Sequence, residues 1–282
     1  MTANTFTQAE KAKQLYDLHH TGGLLILPNI WDVLGAKLLE DSGYPAIATA
    51  SASVAYTNGY NDGENIPFTD VLDILKRITS SVNIPVTADI ESGYAENDAE
   101  LEKNIRALIE TGIAGINIED TDKKTKTLLP AEVQSEKIKL IKKVAAEMNV
   151  PLFINARTDC FVHQKNFESP QPMLKETIQR GIGYKAAGAD CFYPILMKKE
   201  DELKAVVQEV GMPVNVITIP GIPSLNVLQQ IGVARVSLGP SFLKYAIKSM
   251  KDLAIKLQNY DGLEDITSND VTSDYLKHLV SA

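Results

Sequence analysis

Only two cysteines, Cys160 and Cys191, stand in 282 residues, so no disulfide framework holds this fold. A reducing compartment suits such a chain, and both thiols are expected to pack as small buried hydrophobes. No apolar run approaches the length that spans a bilayer. The first residues, Met-Thr-Ala-Asn-Thr-Phe-Thr-Gln, lack a basic segment followed by an apolar one. The expectation is a cytoplasmic protein with neither export nor membrane span. Basic charge is also short. Against 36 Asp and Glu stand 28 Lys and Arg, for a net charge of −8. No basic stripe offers itself to a phosphate backbone, which argues against nucleic acid as a partner. Lys123, Lys124 and Lys126 make only a short loop cluster. The four histidines, His19, His20, His163 and His278, lack the spacing of metal ligands. No linker or low-complexity segment divides the chain, so residues 1–282 are read as one domain.

What the sequence does have is alternation. Short apolar runs at 24–28, 46–50, 84–91, 115–119, 152–158, 191–195, 214–219 and 235–238 read as strands. Between them lie stripes with helical spacing, such as Leu101, Ile105, Leu108 and Ile109, or Ile138, Ile141, Ala145 and Met148. Gly43, Gly112, Gly188 and Gly232 each follow a helical stretch and precede a strand, where a left-handed cap is wanted. Eight βα units predict a (β/α)8 barrel; a doubly wound open sheet is the alternative. An extra N-terminal helix over residues 5–20 is expected to cover the barrel bottom. A C-terminal helical segment near 242–257 precedes a polar tail.

In such a barrel, chemistry sits at the C-terminal ends of the strands. There the sequence places Asp89, Glu91 and Glu119. Residues two apart on a strand share a face, so Asp89 and Glu91 should point together, with Glu119 on the next strand. Unpaired like charges in one cleft repel. An all-oxygen set therefore points to a hard cation, Mg2+ or Mn2+. Arg157, at the end of the fifth run, offers a planar fork for a carboxylate or phosphonate. Acids beside one arginine suggest a small anionic substrate held by both metal and guanidinium. Lys198 reads as a solvated loop residue, and His163 as a loop histidine close to the fifth strand end.

Several segments appear in a telling order: Asn29-Ile30-Trp31-Asp32, Ser51-Ala52-Ser53-Val54-Ala55, Gly59-Tyr60-Asn61-Asp62-Gly63, Asp89-Ile90-Glu91-Ser92-Gly93-Tyr94, Ile118-Glu119-Asp120 and Asn155-Ala156-Arg157-Thr158-Asp159. Together they resemble the isocitrate lyase/phosphoenolpyruvate mutase superfamily over roughly residues 20–250. The resemblance implies a TIM barrel, a Mg2+ site and 2-oxo-acid or phosphonate substrates handled through an enolate. It also implies a homotetramer in which subunits exchange the last barrel helix. Residue by residue, Asp89 resembles the acid closest to the metal. Glu91 and Glu119 resemble acids that act through water. Asp62 resembles a loop acid near the substrate, and Arg157 the group gripping its anionic end. Ser51 and Ala52 resemble the turn whose backbone N–H groups hold the substrate carboxylate. The lyase motif Lys-Lys/Arg-Cys-Gly is missing: the loop reads Asp120-Thr121-Asp122-Lys123-Lys124-Thr125-Lys126-Thr127. It has the lysines but not the asparagine of the mutases. The expected function is a Mg2+-dependent lyase or decarboxylase-like enzyme for a small 2-oxo-acid dianion. The alternatives are a phosphonopyruvate hydrolase or phosphoenolpyruvate mutase, or a barrel that binds a 2-oxo acid without turnover.

Overall fold

In the computed structural model, which describes residues 6–281, all paired strands run parallel. The segments are β1 (Leu25–Leu27), β2 (Asn29–Ile30), β3 (Ile47–Thr49), β4 (Val86–Asp89), β5 (Gly115–Glu119), β6 (Phe153–Thr158), β7 (Cys191–Pro194), β8 (Asn215–Ile217) and β9 (Arg235–Ser237). The first two are one strand interrupted at Pro28, which has no N–H to give a ladder. Its carbonyl still accepts from Ala48 N at 2.9 Å. That break lets one strand serve two neighbours: β1 pairs with β9, while β2 pairs with β3. Parallel pairing then runs from β3 through to β7. A bridge between Phe192 and Val214 joins β7 to β8, and β8 pairs with β9. The circuit closes as the expected (β/α)8 TIM barrel, and the open-sheet alternative falls.

Asn29 ties the seam at its upper end. Its Nδ2 donates to Thr49 O at 2.8 Å, and its Oδ1 accepts from Leu238 N and Gly239 N at 2.9 and 3.0 Å. The helices follow from local chemistry. Asp32, Asn97 and Ser224 each accept a backbone N–H from the first turn they precede. The four helix-ending glycines all have positive φ, as their position demands. The helix Gln8–Leu18 opens with a Thr7–Glu10 capping box. It closes the barrel bottom: Gln8 Nε2 donates to the carbonyls of Ile109 and Ile113 at 2.7 and 2.8 Å. Leu15 is fully buried there, and its Cδ2 lies so near Gly115 that no side chain fits at that position.

Apolar burial holds the layers together. Ile105, Leu108, Ile138, Ile141 and Val144 turn from the outer helices onto the strands and are fully buried. Each contributes about 1.5–3 kcal/mol relative to exposure. The helix Ser241–Gln258 differs. Only Leu243 is buried on it, while Tyr245 is 76% and Met250 66% exposed. Beyond it lie two short helices, Leu263–Thr267 and Ser273–Ser281, where the sequence suggested only a polar tail.

Candidate active site

The C-terminal ends of the strands surround a cavity of about 270 Å3. Ser51, Ala52, Asp62, Asp89 and Arg157 all line it. Asp89 ends β4 and is the best-organised of them. Its Oδ2 accepts from Ser51 Oγ at 2.7 Å and Ser51 N at 3.1 Å. Its Oδ1 accepts from Asn117 Nδ2 at 2.8 Å, and Asn155 Nδ2 in turn donates to Asn117 Oδ1 at 2.9 Å. The helix start after β3 and the neighbouring strands β5 and β6 thereby hold one carboxylate in place. A carboxylate offers about four lone-pair sites, so three donors leave room for a further ligand. Ser51 and Ala52 open the short helix Ser51–Thr57, whose first N–H groups have no acceptor within the helix. That of Ser51 already serves Asp89.

Arg157 is clamped. Its Nη1 lies 2.8 Å from Glu119 Oε2. Its Nε and Nη2 donate to Asp159 Oδ1 and Oδ2 at 2.6 and 3.1 Å. Burial works against its charge, but Glu119 and Asp159 hold its pKa well above the usual value. A guanidinium has five N–H donors; three are engaged, which leaves one on each Nη for a ligand. Asp159 is itself aimed by Thr121 Oγ1 at 2.6 Å. His163 Nε2 lies 3.1 Å from the same hydroxyl, so this loop histidine does approach the site. Asp120, by contrast, turns behind the barrel. It accepts from Thr158 Oγ1, Arg180 Nη1 and Tyr184 OH at 2.7, 2.9 and 2.6 Å.

The other acids sit differently from the alternation argument. β4 ends at Asp89, and Glu91 follows in a turn with φ of 52°, so the two are not on one strand face. Glu91 is buried, takes a long hydrogen bond of 3.3 Å from Tyr94 OH, and does not wall the cavity. Burial pushes its pKa up to about 8, with the charges of Asp89, Asp62 and Glu64 adding to the rise. Glu119 faces Arg157 rather than the open cavity. Burial raises its pKa against the pull of Arg157, and Asp159, Asp89 and Glu91 raise it further. The three acids thus feel one another across the β4–β5 mouth without forming a shell. Among the described residues no three Asp, Glu, His or Cys side chains are arranged to hold a metal directly. Asp62 stands on an exposed loop with its carboxyl turned to the cavity, where burial and then Asp89 raise its pKa.

Loop 120–130 is tied down over this side. Thr121 and Leu128 form an antiparallel bridge, and Asp122 Oδ1 accepts from Lys124 N and Thr125 N. Lys123 Nζ reaches Glu64 Oε2 at 2.9 Å. The other carboxylate oxygen of Glu64 accepts from Ser92 N, Ser92 Oγ and Tyr94 N. Glu64, Tyr193 and Arg235 were not singled out from sequence. For Arg235 the sequence shows only a charged residue opening the last apolar run. Both cysteines are buried and free, and Lys198 is exposed.

A parallel barrel with acids and a clamped arginine at the C-terminal ends of its strands has these groups on the face where barrel enzymes carry their active sites. The profile of one family, phosphoenolpyruvate phosphomutase, matches residues 15–258, and the chain belongs to that family. A Burkholderia cenocepacia J2315 protein, described only as a candidate lyase/mutase, superposes with a TM-score of 0.87 at 31% identity, over 98% of this chain and 97% of its own. The 2-methylisocitrate lyase of Halalkalibacterium halodurans is 27% identical over 73% of this chain and 67% of its own. A phosphonopyruvate hydrolase, solved with oxalate and Mg2+, shares the fold at a TM-score of 0.81 and 20% identity, covering 97% and 95%.

Proposed function

We propose that this protein is a Mg2+-assisted enzyme that cleaves a small 2-oxo-acid dianion through an enolate, as a lyase or decarboxylase. The observation that carries the reading is one cavity walled by Asp89, Ser51 and Arg157 together. The donor set suits a hard cation, since all its atoms are carboxylate oxygens. The raised pKa of Glu91 marks a buried acid whose charge lacks compensation. Asp89 would hold Mg2+ directly, and Glu91 and Glu119 through water. When bound, the ion would polarise the oxygen of the oxo group. The chain's own residues do the rest. The two N–H groups left on Arg157 hold the anionic end of the substrate. Ala52 offers a backbone N–H to the carboxylate beside the oxo group. Asp62, with its raised pKa, is placed to hold or release a proton at the cavity edge. Loop 120–130, latched to Glu64 by Lys123, limits water entry.

Carbon–phosphorus chemistry is the second reading. It is favoured by the family match and by Thr125, where a lyase would present its cysteine motif. An assay with Mg2+ and a panel of 2-oxo acids, run beside phosphonopyruvate with phosphate detection, separates the two. Turnover of neither class would overturn the enzyme reading and leave a binding barrel.

We also infer a homotetramer that exchanges the helix Ser241–Gln258. Its apolar residues Tyr245, Ile247 and Met250 find no cover on their own barrel, and faces of this kind mark an interface. Light scattering should give a mass near four chains, and Met250→Glu should lower it. A wild-type monomer at micromolar concentration contradicts the inference. The partners in this reading are a small acid and further copies of the chain. Among the described residues no helix is long and apolar enough to cross a membrane.

A further inference from the structure

Arg235 lies on β9 in the barrel interior, 2% exposed, and lines the same cavity as Arg157. Its surroundings are neutral. Nε donates to Ser237 Oγ at 3.0 Å, and Ser237 Oγ donates to Asn215 Oδ1 at 3.1 Å. Asn215 sits directly opposite in the β8–β9 register. Two buried donors here have no acceptor: Arg235 Nη1 and Asn215 Nδ2. Among the described residues no carboxylate pairs with Arg235; Asp89 acts on it only from a distance. Below it, His19 is kept neutral by burial and by the arginine itself, so no compensating charge comes from that side either.

A buried guanidinium without an anionic partner is strongly unfavourable, and a buried amide donor with nothing to bind adds to the cost. Arg235 lines the cavity that the reading above assigns to a small acid, while Asn215 lies buried beside it on β8 and does not reach that wall. We propose that Arg235 anchors a second carboxylate of the substrate. The cavity then takes an acid with at least two separated anionic groups, one toward Arg157 and one toward Arg235. A guanidinium presents donors only and carries a full charge, so it favours a carboxylate, with a charge-assisted bond, over a neutral hydroxyl or a methyl group. The proposal rests on the oxo-acid reading of the cavity and adds the far end of the substrate to it.

Calorimetry with Mg2+ present tests it, using oxalate as the short dianion and succinate as the longer one, on wild type, Arg235→Gln and Arg235→Lys. The expected result is succinate binding that weakens by about tenfold or more in Arg235→Gln, with oxalate unchanged within about twofold. Arg235→Lys, which keeps the charge without the fork, should fall between. Equal affinities for succinate across the three proteins, or equal losses for both acids in folded variants, would overturn the proposal. If the variants do not fold, heat unfolding of wild type decides. Stabilisation by both acids supports the second anchor, and stabilisation by oxalate alone contradicts it. Succinate binding that depends on Arg235, without any oxalate binding, would sink the enolate reading while leaving the anchor in place.

Discussion

Two arginines face one cavity from opposite sides, and their company differs. On the β5–β6 side, Arg157 is met by Glu119 and Asp159, with Asp89 and Glu91 close by. On the β8–β9 side, Arg235 meets only Ser237 and Asn215. One wall carries more acid than its arginine can offset, and the other carries a cation with nothing to offset it. Across a single small cavity, this sorts what can bind. In the proposed reading a cation would sit against the first wall, and an anion between the two. The clamped arginine is also the better held, since two carboxylates grip it and one of them, Asp159, is itself aimed by Thr121. Such support lets a ligand find its geometry already set.

The strongest way to break the comparison is to remove the anchor of the acidic wall. Asp89→Ala should lower kcat/KM by at least about two orders of magnitude, roughly 2.7 kcal/mol, and EDTA should abolish activity that Mg2+ or Mn2+ restores. Full turnover in EDTA would contradict the metal assignment. Next in size is Arg157→Lys. It keeps a positive charge near Glu119 but cannot bridge Asp159 with two parallel bonds or offer a planar pair to substrate. A loss of about tenfold to a hundredfold in kcat/KM is expected, with an unchanged unfolding midpoint within a few degrees showing that folding is intact. Wild-type kinetics in this variant would show that charge alone suffices.

The smallest effect concerns pH. A carboxyl whose pKa is higher folded than unfolded binds its proton more tightly in the native state, so its stabilising effect fades as pH rises. For Glu91, with a folded value of about 8, stability is lost between the ordinary glutamate range and about pH 8. Metal-free protein should therefore melt lower at about pH 8.5 than at about pH 7, a window in which His19 stays neutral in the native state. Glu91→Gln should flatten the slope, and added Mg2+ should raise the midpoint more at the higher pH. Parallel melting of Glu91→Gln and wild type over this window would remove Glu91 from the account.

Much of the acidic wall was legible in the sequence because it lies where strand runs end. Asp89, Glu119 and Arg157 each close an apolar run, and period-two patterning locates such ends to within a residue or two. The barrel itself was legible from the alternation and the post-helix glycines. Glu91 was placed in the right neighbourhood by a faulty argument, since β4 stops at Asp89 and a left-handed residue follows. Periodicity cannot report a turn that a non-glycine residue adopts only because its surroundings impose it. The neutral wall was not legible. Arg235 looked like the first residue of a strand, and its isolation depends on which groups the barrel brings opposite it. The break at Pro28 and its consequence for strand pairing are likewise tertiary facts, although the proline itself was in plain view.

The central claim is that the acidic wall binds a divalent ion and that the ion and Arg157 together hold the planar, doubly charged form of the substrate. Oxalate copies that form, and calorimetry of oxalate into wild type with and without Mg2+ measures the claim directly. The account predicts tight binding with the ion and at least about tenfold weaker binding without it. Equal oxalate affinity in the two conditions would contradict it.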